Sequence, residues 1–385
     1  MASQLLNISI IVSTLVSAVS VMYCFLCIWA GTRYASHRRR LASAIGLPPV
    51  SILKPIKGTD PEMYASLRTH CVQNYPEYEI LFGVTNPDDP AIPVVEKLIE
   101  EFPGRTIRLV RCDKKLGANG KVSSLVQLAA VAGHDFFLVN DSDIRVEPGY
   151  LCQVMTELQE PETGLVTCLY RGVPADTLGS GLESLSIGTD FMAGVLAARQ
   201  IERGLRFGLG STLAFRKRDL EAIGGFEAIV DYLADDYELG HRIAERNLKV
   251  KLSESVVETY LPAYDMAGFF SHQLRWARTI RASRAGGYAG LLFTFTLPWA
   301  ALTLMLARGA TWAWGLLAAA IAARTAMALV TSQLVLCDRG FLRWFWLLPF
   351  RDFLAVVIWL GGLAGRKIVW RGEVFDLQNG KLTRD

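Results

Sequence analysis

The sequence predicts an α/β protein with membrane helices at both ends. Between about Pro48 and Glu258, short apolar runs alternate with stretches of helical periodicity, which is typical of a mostly parallel sheet. The run Ile8–Ala30 is almost purely apolar and uncharged, and it is long enough to cross a bilayer as a helix. The chain becomes apolar again from about Tyr288. We therefore expect one sizeable α/β domain that is held in a membrane by its two ends.

The first apolar run is predicted to be a retained anchor. No basic residue precedes it, whereas Arg33 and Arg38-Arg39-Arg40 follow it, and a cleavable signal peptide carries its positive charge before the apolar run. The positive-inside rule places the basic side, and everything after it, in the cytoplasm. Residues 1–47 are therefore expected to form a transmembrane anchor and a basic juxtamembrane segment of an integral membrane protein.

The C-terminal region, residues 288–385, is expected to hold membrane helices and a cytoplasmic-facing tail. Leu291–Leu306 and Trp312–Leu336 read as two spanning helices. Arg324 lies inside the second one, where it should face protein or snorkel. A third apolar stretch, Trp344–Gly365, is interrupted by a proline and two charged residues, so it can span once or dip in and return. Basic residues on both of its flanks favour a re-entrant or interfacial hairpin.

Composition excludes some classes of protein. The formal net charge is only +3, and no basic tract is dense enough to indicate nucleic-acid binding. The seven cysteines are scattered, and the pair Cys24 and Cys27 lies inside the anchor with no second ligand pair. Reduced, structural cysteines are therefore expected.

The elements of the middle segment follow from its apolar runs and turn residues. In chain order we expect a strand at Val50–Leu53, a helix at Tyr64–Gln73, a strand at Glu79–Val84, a helix at Val94–Phe102, a strand at Ile107–Val110, a helix at Val122–Ala132, a strand ending before Asn140, an apolar segment at Thr212–Phe215 and a short helix at Asp219–Gly224. Three of these strands end in polar, turn-rich clusters. On one sheet, those clusters would line a common crevice.

The segment Phe136–Asp143 carries the strongest local signal. Its apolar residues predict a buried strand, which ends abruptly in Asp141 and Asp143. Ligands bind at the carboxyl edge of open α/β sheets, and two carboxylates there offer hard oxygens to a divalent cation that keeps positions open for phosphate. This pattern suggests a metal–diphosphate site, with a nucleotide-sugar as the obvious donor. The alternative is a solvated acidic turn.

Three later segments are candidates for the acceptor side. Asp235 and Asp236 begin a helix, where acids are ordinary, but a carboxylate there can also act as general base for an acceptor hydroxyl. Phe269–Arg278 mixes aromatic and basic residues, which is typical of an interfacial helix, and its guanidinium groups suit a diphosphate. Leu182–Ala198 is apolar with few charges and predicts either part of an acceptor groove or a plain packed helix.

Taken in order, these motifs resemble those of membrane-bound family 2-like glycosyltransferases. The resemblance is closest to the ceramide glucosyltransferase family (family 21) and its bacterial hopanoid-biosynthesis relatives, and it covers about Pro48 to Tyr288. The motifs that carry it are Lys54-Pro55 with Lys57-Gly58, Asp88-Asp89-Pro90-Ala91, Asp141-Ser142-Asp143, Asp235-Asp236 and Arg275-Trp276.

The resemblance implies a GT-A (Rossmann-like nucleotide-diphospho-sugar transferase) domain at residues 48–263, a UDP-sugar donor, a Mg²⁺ or Mn²⁺ ion and inversion at the anomeric carbon. It implies that Asp141 and Asp143 hold the metal and the diphosphate, and that Asp236 deprotonates the lipid hydroxyl. The remaining donor-binding residues that it implies are Lys54, Lys121, and Asp89 or its neighbour Asp88 at the uridine.

The resemblance also assigns residues 264–287 to an interfacial helix with a (Q/R)xxRW motif. Arg275 and Trp276 are its last two positions, and they would contact the diphosphate and the acceptor side. The first position is His272, neither Gln nor Arg, and this departure leaves the first contact of the motif open. His272 can still donate a hydrogen bond to a phosphate, with a charge that depends on pH.

The resemblance leaves several possibilities for the acceptor. Segments such as Tyr75–Tyr78 and Thr167–Gly172 favour transfer of N-acetylglucosamine to a hopanoid polyol in a bacterial inner membrane, with glucose transfer to ceramide as the alternative. A processive polysaccharide synthase is disfavoured because it needs a channel built from more spanning helices. A non-catalytic membrane scaffold is disfavoured by the intact acidic motifs. The choice between Mg²⁺ and Mn²⁺ and the oligomeric state stay open.

Overall fold

The computed structural model describes residues 2–37, 46–370 and 373–383. The chain forms two compact units. The membrane unit comprises Met1–His37, Asp176–Gln200 and Ala263–Arg366, and the α/β unit comprises Arg38–Ala175, Ile201–Pro262 and Lys367–Asp385. The units therefore interleave along the chain, where the sequence analysis expects contiguous domains. Arg38-Arg39-Arg40, on which the predicted topology partly rests, lies outside the described residues.

The α/β unit is built on an eight-stranded sheet with the strand order β3-β2-β1-β4-β7-β6-β8-β5. Its strands are β1 Val50–Pro55, β2 Tyr78–Val84, β3 Thr106–Arg111, β4 Phe136–Val139, β5 Ile144–Arg145, β6 Thr163–Val173, β7 Leu213–Arg216 and β8 Lys249–Tyr260. β1 pairs in parallel with β2 and β4, β2 with β3, and β6 with β8, whereas β7 is antiparallel to both of its neighbours. The predicted parallel-rich α/β fold is confirmed.

A second, three-stranded antiparallel sheet in the α/β unit is formed by the tail. Its strands are β9 Lys367–Trp370, β10 Glu373–Gln378 and β11 Lys381–Thr383. The sequence analysis expects neither these strands nor β6 and β8. The elements that it does predict in this unit lie within about three residues of the observed ones.

The α-helices of the described chain are α1 Ala2–Ser36, α2 Met63–Cys71, α3 Ile92–Glu101, α4 Gly120–Val131, α5 Tyr150–Leu158, α6 Leu178–Ser186, α7 Met192–Ile201, α8 Lys217–Glu221, α9 Asp235–Glu245, α10 Met266–Ser283, α11 Ala285–Gly290, α12 Thr296–Leu306, α13 Thr311–Leu329, α14 Phe341–Trp344 and α15 Leu348–Leu363. π-Helical turns at Ile187–Phe191 and Val330–Val335 follow α6 and α13.

Three helices of the membrane unit are long and apolar enough to cross a bilayer: Ser3–Ser36, Thr311–Val335 and Phe341–Leu363. The first two confirm the predicted anchor and the predicted span around Arg324. At the expected span Leu291–Leu306, the helices Ala285–Thr294 and Thr296–Leu306 form a pair bent by 54°, which fits either a broken span or a re-entrant loop. Pro298 lies in the first turn of α12, where its ring would clash with a helix continuing from residue 294.

The stretch Trp344–Gly365 does not form the expected re-entrant hairpin, because α14, a 3₁₀ turn at Phe345–Leu347 and α15 follow one another within one candidate span, Phe341–Leu363. Pro349 occupies the first turn of α15, where its missing N–H costs no helical hydrogen bond. Arg351 and Asp352 do not force a turn, because both are buried in ion pairs with residues of the same unit. The two charged residues inside this apolar run therefore indicate buried ion pairs, and they do not mark a return of the chain to water.

Candidate active site

The acidic motif after β4 is fixed in the α/β unit by a buried asparagine. Asn140 is fully buried, and its Nδ2 donates to the Tyr150 hydroxyl at 2.9 Å and to the Ser211 carbonyl at 2.8 Å. The backbone N–H of Asp141 donates to the Gly210 carbonyl at 3.3 Å. The end of β4 is thereby tied to the loop before β7, so Asp141 leaves the sheet at a defined place.

The side chains of Asp141 and Asp236 both approach Gly210. A Cβ atom added to Gly210 would lie 2.8 Å from Asp141 Oδ2 and 3.4 Å from Asp236 Oδ2. The Gly210 N–H donates to Asp236 Oδ2 at 2.8 Å. A side chain at this position would displace the Asp141 carboxylate, and the structure thus brings together the predicted metal ligand and the predicted base.

Lys121 links the two acidic motifs. Its Nζ lies 2.8 Å from Asp141 Oδ1 and 3.0 Å from Asp235 Oδ2. Burial acts to lower the pKa of Lys121, but the charges of Asp141 and Asp235 outweigh it and the pKa lies above its ordinary value. Lys121 is therefore a fixed positive charge at the strand edge. Its position at the start of α4, after the turn that contains Asn119, places it there.

Two carboxyl groups of the site have raised pKa values. Burial, followed by the charge of Asp235, raises the pKa of Asp236 to about 6, while Lys121 acts in the opposite direction. Burial, followed by the charge of Asp141, raises the pKa of Asp143 to about 6. Asp143 also accepts a hydrogen bond from the Thr259 hydroxyl. Shifts of this kind, caused by burial and by like charges at one place, are typical of functional sites.

Lys54 acts behind the motif. Its side chain is completely buried, and its Nζ donates to the backbone carbonyl of Asp141 at 3.1 Å. Burial lowers the pKa of Lys54 to about 7, although Asp143 and Asp141 act to raise it. In this arrangement Lys54 orients the acidic turn. Its predicted contribution to donor binding would be indirect, through the position of that turn.

Of the two residues predicted to contact the uridine, one is buried and the other is exposed. Asp89 is buried, and its carboxylate accepts from Gly58 N at 2.9 and 3.1 Å and from Ala91 N at 2.9 Å. It therefore joins the loop after β1 to the start of α3. Asp88 is exposed. The direct contact with a nucleotide stays a prediction for both residues.

The loop that precedes Asp235 is held from two sides within the α/β unit. On one side, Asn119 Nδ2 donates to the Tyr232 carbonyl at 2.7 Å. On the other side, the tail adds two backbone hydrogen bonds, from Leu233 N to Gly380 O at 3.0 Å and from Leu382 N to Asp231 O at 2.7 Å. The tail therefore helps to position the segment that carries the candidate base.

The residues present fit a divalent cation. Within residues 2–37, 46–370 and 373–383, no group of three or more His, Cys, Asp or Glu side chains forms a complete metal site. Asp141 and Asp143 offer two carboxylates whose mutual repulsion contributes to the raised pKa of Asp143. A Mg²⁺ ion bound through one or two carboxylates completes its shell with substrate phosphates and water. The donor set is the one expected for an ion that arrives with a diphosphate.

The predicted RW motif lies on α10, in the membrane unit. The His272 ring stacks on Tyr264 with 5.3 Å between centroids, and it lies 5.4 Å from the Trp276 ring. His272 Nδ1 lies 3.0 Å from Glu183 Oε1, and Gln273 Nε2 donates to Glu183 Oε2 at 2.8 Å. Arg275 lies on the same helix. His272, at the departing position of the motif, is thus held by a fully buried carboxylate.

Several residues of the site were missed by the sequence analysis. Gly210 lies in the glycine-rich segment 208–211, to which no role was assigned from the sequence. Thr259 and Glu183 stand in stretches without a motif, and no sequence signal points to them. Asp235 is part of a recognised motif, but its ion pair with Lys121 joins two residues that lie 114 positions apart in the chain.

A family model described as "Glycosyl transferase family 21" matches residues 12–383 of the chain. The chain is 26% identical to Ceramide glucosyltransferase 3 of Caenorhabditis elegans over 69% of its length and 59% of that protein. It is 27% identical to Ceramide glucosyltransferase 1 of the same organism over 60% of its length and 50% of that protein. It is 34% identical to the ceramide glucosyltransferase of Komagataella phaffii (strain GS115 / ATCC 20864) over 32% of its length and 25% of that protein. The matches therefore span at most about three fifths of the length of these relatives.

Among solved structures, the chain is similar to the mannosyltransferase PcManGT from Pyrobaculum calidifontis in complex with GDP-Man and Mn²⁺. The TM-score is 0.53 at 20% identity, and the match covers 91% of this chain and 99% of the other. At this identity the likeness shows the fold, and it confirms the expected GT-A-like architecture.

Proposed function

Because this chain belongs to glycosyl transferase family 21, we propose that it is an inverting membrane glycosyltransferase that moves a hexose from a UDP-sugar to a lipid hydroxyl. The observation that carries the proposal is the pair of carboxylates around Gly210. Asp141 provides a metal and diphosphate ligand, and Asp236 provides a base beside the same glycine. A donor and an acceptor hydroxyl bound at this place would meet both groups.

The relatives favour glucose and ceramide as the substrates. The sequence analysis favours N-acetylglucosamine and a hopanoid polyol, but the named relatives are ceramide glucosyltransferases and support its alternative better. We therefore propose UDP-glucose as the donor and ceramide as the acceptor.

Asp236 is proposed to accept the proton of the lipid hydroxyl as that oxygen attacks the anomeric carbon. Its pKa of about 6 leaves the carboxylate largely ionised at pH 7, while making it more basic than an ordinary aspartate. Its two oxygens are oriented by the N–H groups of Gly210 and Tyr237, both at 2.8 Å. Attack from the face opposite the leaving UDP inverts the configuration.

The negative charge that grows on the leaving UDP is proposed to be stabilised by fixed cations. Asp141 and Asp143 would hold Mg²⁺ or Mn²⁺, which supplies Lewis-acid neutralisation of the diphosphate. Lys121 adds a positive charge that is already oriented by two carboxylates, so little reorganisation is needed during the reaction. Arg275 and Trp276 are proposed to contact the diphosphate and the acceptor, and His272 to donate to a phosphate.

The helices with spanning length make the chain an integral membrane protein. We propose that the α/β unit faces the cytoplasm, because Arg33 lies in the last turn of the anchor helix and supports a positive-inside orientation. A bacterial inner membrane, which follows from the resemblance to bacterial relatives, belongs to the same proposal.

The test is product analysis by mass spectrometry. The purified protein in detergent would receive Mg²⁺ or Mn²⁺, UDP-glucose or UDP-N-acetylglucosamine, and ceramide or a hopanoid polyol. We expect hexosyl-ceramide, no product from Asp236→Asn, and retained UDP-sugar binding by that variant. Glu96→Gln, a change to an exposed carboxylate on α3, is the matched control.

Each other product has a defined meaning. A hexosaminyl-hopanoid would return the acceptor to the original expectation and keep the mechanism. A polymer would replace the proposal with a processive synthase, and no turnover of any UDP-sugar would indicate a scaffold. Near-normal transfer by Asp236→Asn would refute the assigned base.

A further inference from the structure

Four charged side chains form a buried cluster inside the membrane unit: Arg324, Arg351, Asp190 and Asp352. Arg324 is 2% exposed and makes a bidentate contact with Asp352, with Nε–Oδ2 at 2.9 Å and Nη2–Oδ1 at 2.7 Å. Its remaining donors reach Thr189 and Asp190 at 2.9–3.1 Å. This half of the cluster is satisfied by the protein itself.

The other half is incomplete. Arg351 is 5% exposed, with its Nε donating to the Ser186 hydroxyl and its Nη2 lying 3.1 Å from Asp190 Oδ2. Its Nη1 is buried and has no hydrogen-bond partner within the described chain. Ser332 is also fully buried with an unpartnered hydroxyl. Leaving buried donors unpaired is unfavourable, above all in a membrane, so these atoms indicate a missing partner.

The incomplete half is accessible through one residue. The side chain of Asp190 is 36% exposed, whereas Arg324, Arg351 and Asp352 are nearly inaccessible. A Cβ atom placed on Gly188 would lie 3.1 Å from the Ser332 hydroxyl, so that group borders the same helical turn. A partly exposed aspartate, whose Oδ2 atom is itself buried without a hydrogen-bond partner among the described residues, and two buried polar groups therefore line one segment.

The backbone around these groups departs from α-helical geometry on both sides. Gly188 and Asp190 lie in the π-helical turn Ile187–Phe191, and Ser332 lies in the π-helical turn Val330–Val335. Such turns occur preferentially at functional sites. The Phe191 ring packs edge-on against Trp276 with 5.2 Å between centroids, so the cluster adjoins a side chain of the RW motif.

We propose that Asp190, Arg351 and Ser332 bind the polar head of the acceptor lipid, and that they select one with an amide beside its hydroxyl groups. Arg351 Nη1 would donate to the amide carbonyl, and the Asp190 carboxylate would accept from the amide N–H. The Ser332 hydroxyl would complete the set. The inference rests on the proposed function, and it gives Leu182–Ala198 the acceptor role that the sequence left open.

The test compares two acceptors, ceramide and diacylglycerol, because the second has a hydroxyl group but no amide. Ser332→Ala removes a hydroxyl that the protein does not use, so its melting midpoint should not fall, while kcat/KM for ceramide should fall about fivefold, as for one lost hydrogen bond. Asp190→Asn should lower the same constant about tenfold or more. For both variants, kcat/KM for diacylglycerol should change by less than about twofold. The preference for ceramide over diacylglycerol should therefore decrease.

The matched control is Asp176→Asn. Asp176 is paired with Arg343 in the same unit, but both side chains are largely exposed, and the change should leave acceptor preference unaltered. The KM for the UDP-sugar should be unchanged in every variant.

An unchanged preference for ceramide in both Ser332→Ala and Asp190→Asn would overturn this inference and leave the proposed function standing. Equal losses of kcat/KM with both acceptors, together with a lowered melting midpoint, would overturn it as well. If Asp190→Asn fails to fold, Ser332→Ala decides. If the unmodified protein hydrolyses a UDP-sugar but glycosylates neither lipid, the proposed lipid-acceptor function fails, and this inference fails with it.

Discussion

Replacing Gly210 by alanine should damage catalysis far more than stability. The new Cβ would lie 2.8 Å from Asp141 Oδ2 and 3.4 Å from Asp236 Oδ2. Ordinary van der Waals contact begins near 3.4 Å, so the Asp236 oxygen is only touched, whereas the Asp141 oxygen has to move by about half an ångström. That movement disturbs the 2.8 Å contact between Asp141 Oδ1 and Lys121.

The size of the effect follows from that displacement. A misplacement of about 1 Å in a catalytic group can cost about a hundredfold in rate, so half of it should cost about tenfold in kcat/KM. The Gly210 φ is not positive, so alanine adds no backbone strain, and the unfolding free energy should change by less than about 1 kcal/mol. The affinity for Mg²⁺ in the presence of UDP should also fall, because Asp141 is a proposed ligand.

The assay is the initial rate of lipid glycosylation, together with the melting midpoint in detergent. Gly104→Ala is the control, since a Cβ at Gly104 would meet no atom within 4 Å. Wild-type rates and metal affinity in Gly210→Ala would refute the reasoning, because they would mean that the two carboxylates do not act from their positions around this glycine.

Three further predictions concern the charge, the metal and the tail. The rate of transfer should fall as the pH drops through about 6, because Asp236 must be ionised. Asp235→Asn should move this acidic limb of the pH–rate profile to lower pH, because it removes a charge that raises the pKa of Asp236. Asp143→Asn should weaken Mn²⁺ binding measured by electron paramagnetic resonance in the presence of UDP, whereas binding as tight as in the unmodified protein would exclude this residue as a ligand. A chain ending at Arg366 loses the two backbone hydrogen bonds to residues 231–233, so kcat should fall by a larger factor than the KM for UDP-sugar rises. An unchanged kcat would show that the loop keeps its position without the tail.

The core of the α/β unit was predictable because its parallel strands are buried on both faces. Every residue of β1 and β2 is buried, and such strands appear in a sequence as short, nearly continuous apolar runs. β6 and β8 were harder to predict. They are long, they contain polar residues, and two register shifts interrupt their pairing.

The predicted elements of the membrane unit were correct where apolar length alone decides. The anchor and the helix around Arg324 have enough apolar residues to span, and the structure confirms both. The hairpin expected at Trp344–Gly365 rested on the basic residues at both flanks and on the interruptions within the run, and the candidate span Phe341–Leu363 contradicts it. Arg351 and Asp352 have buried partners instead, and partners distant in sequence leave no local pattern.

The sequence by itself determined the acidic motifs, their order and the strand end that presents Asp141, because each is a local property of residue type and spacing. Only the tertiary structure decided that Asp141 and Asp236 share Gly210, that Lys121 joins them through Asp235, and that the tail supports the loop beside them. These contacts join residues far apart in the chain. Their geometry is set by how the strands and loops pack, which no short stretch of sequence records.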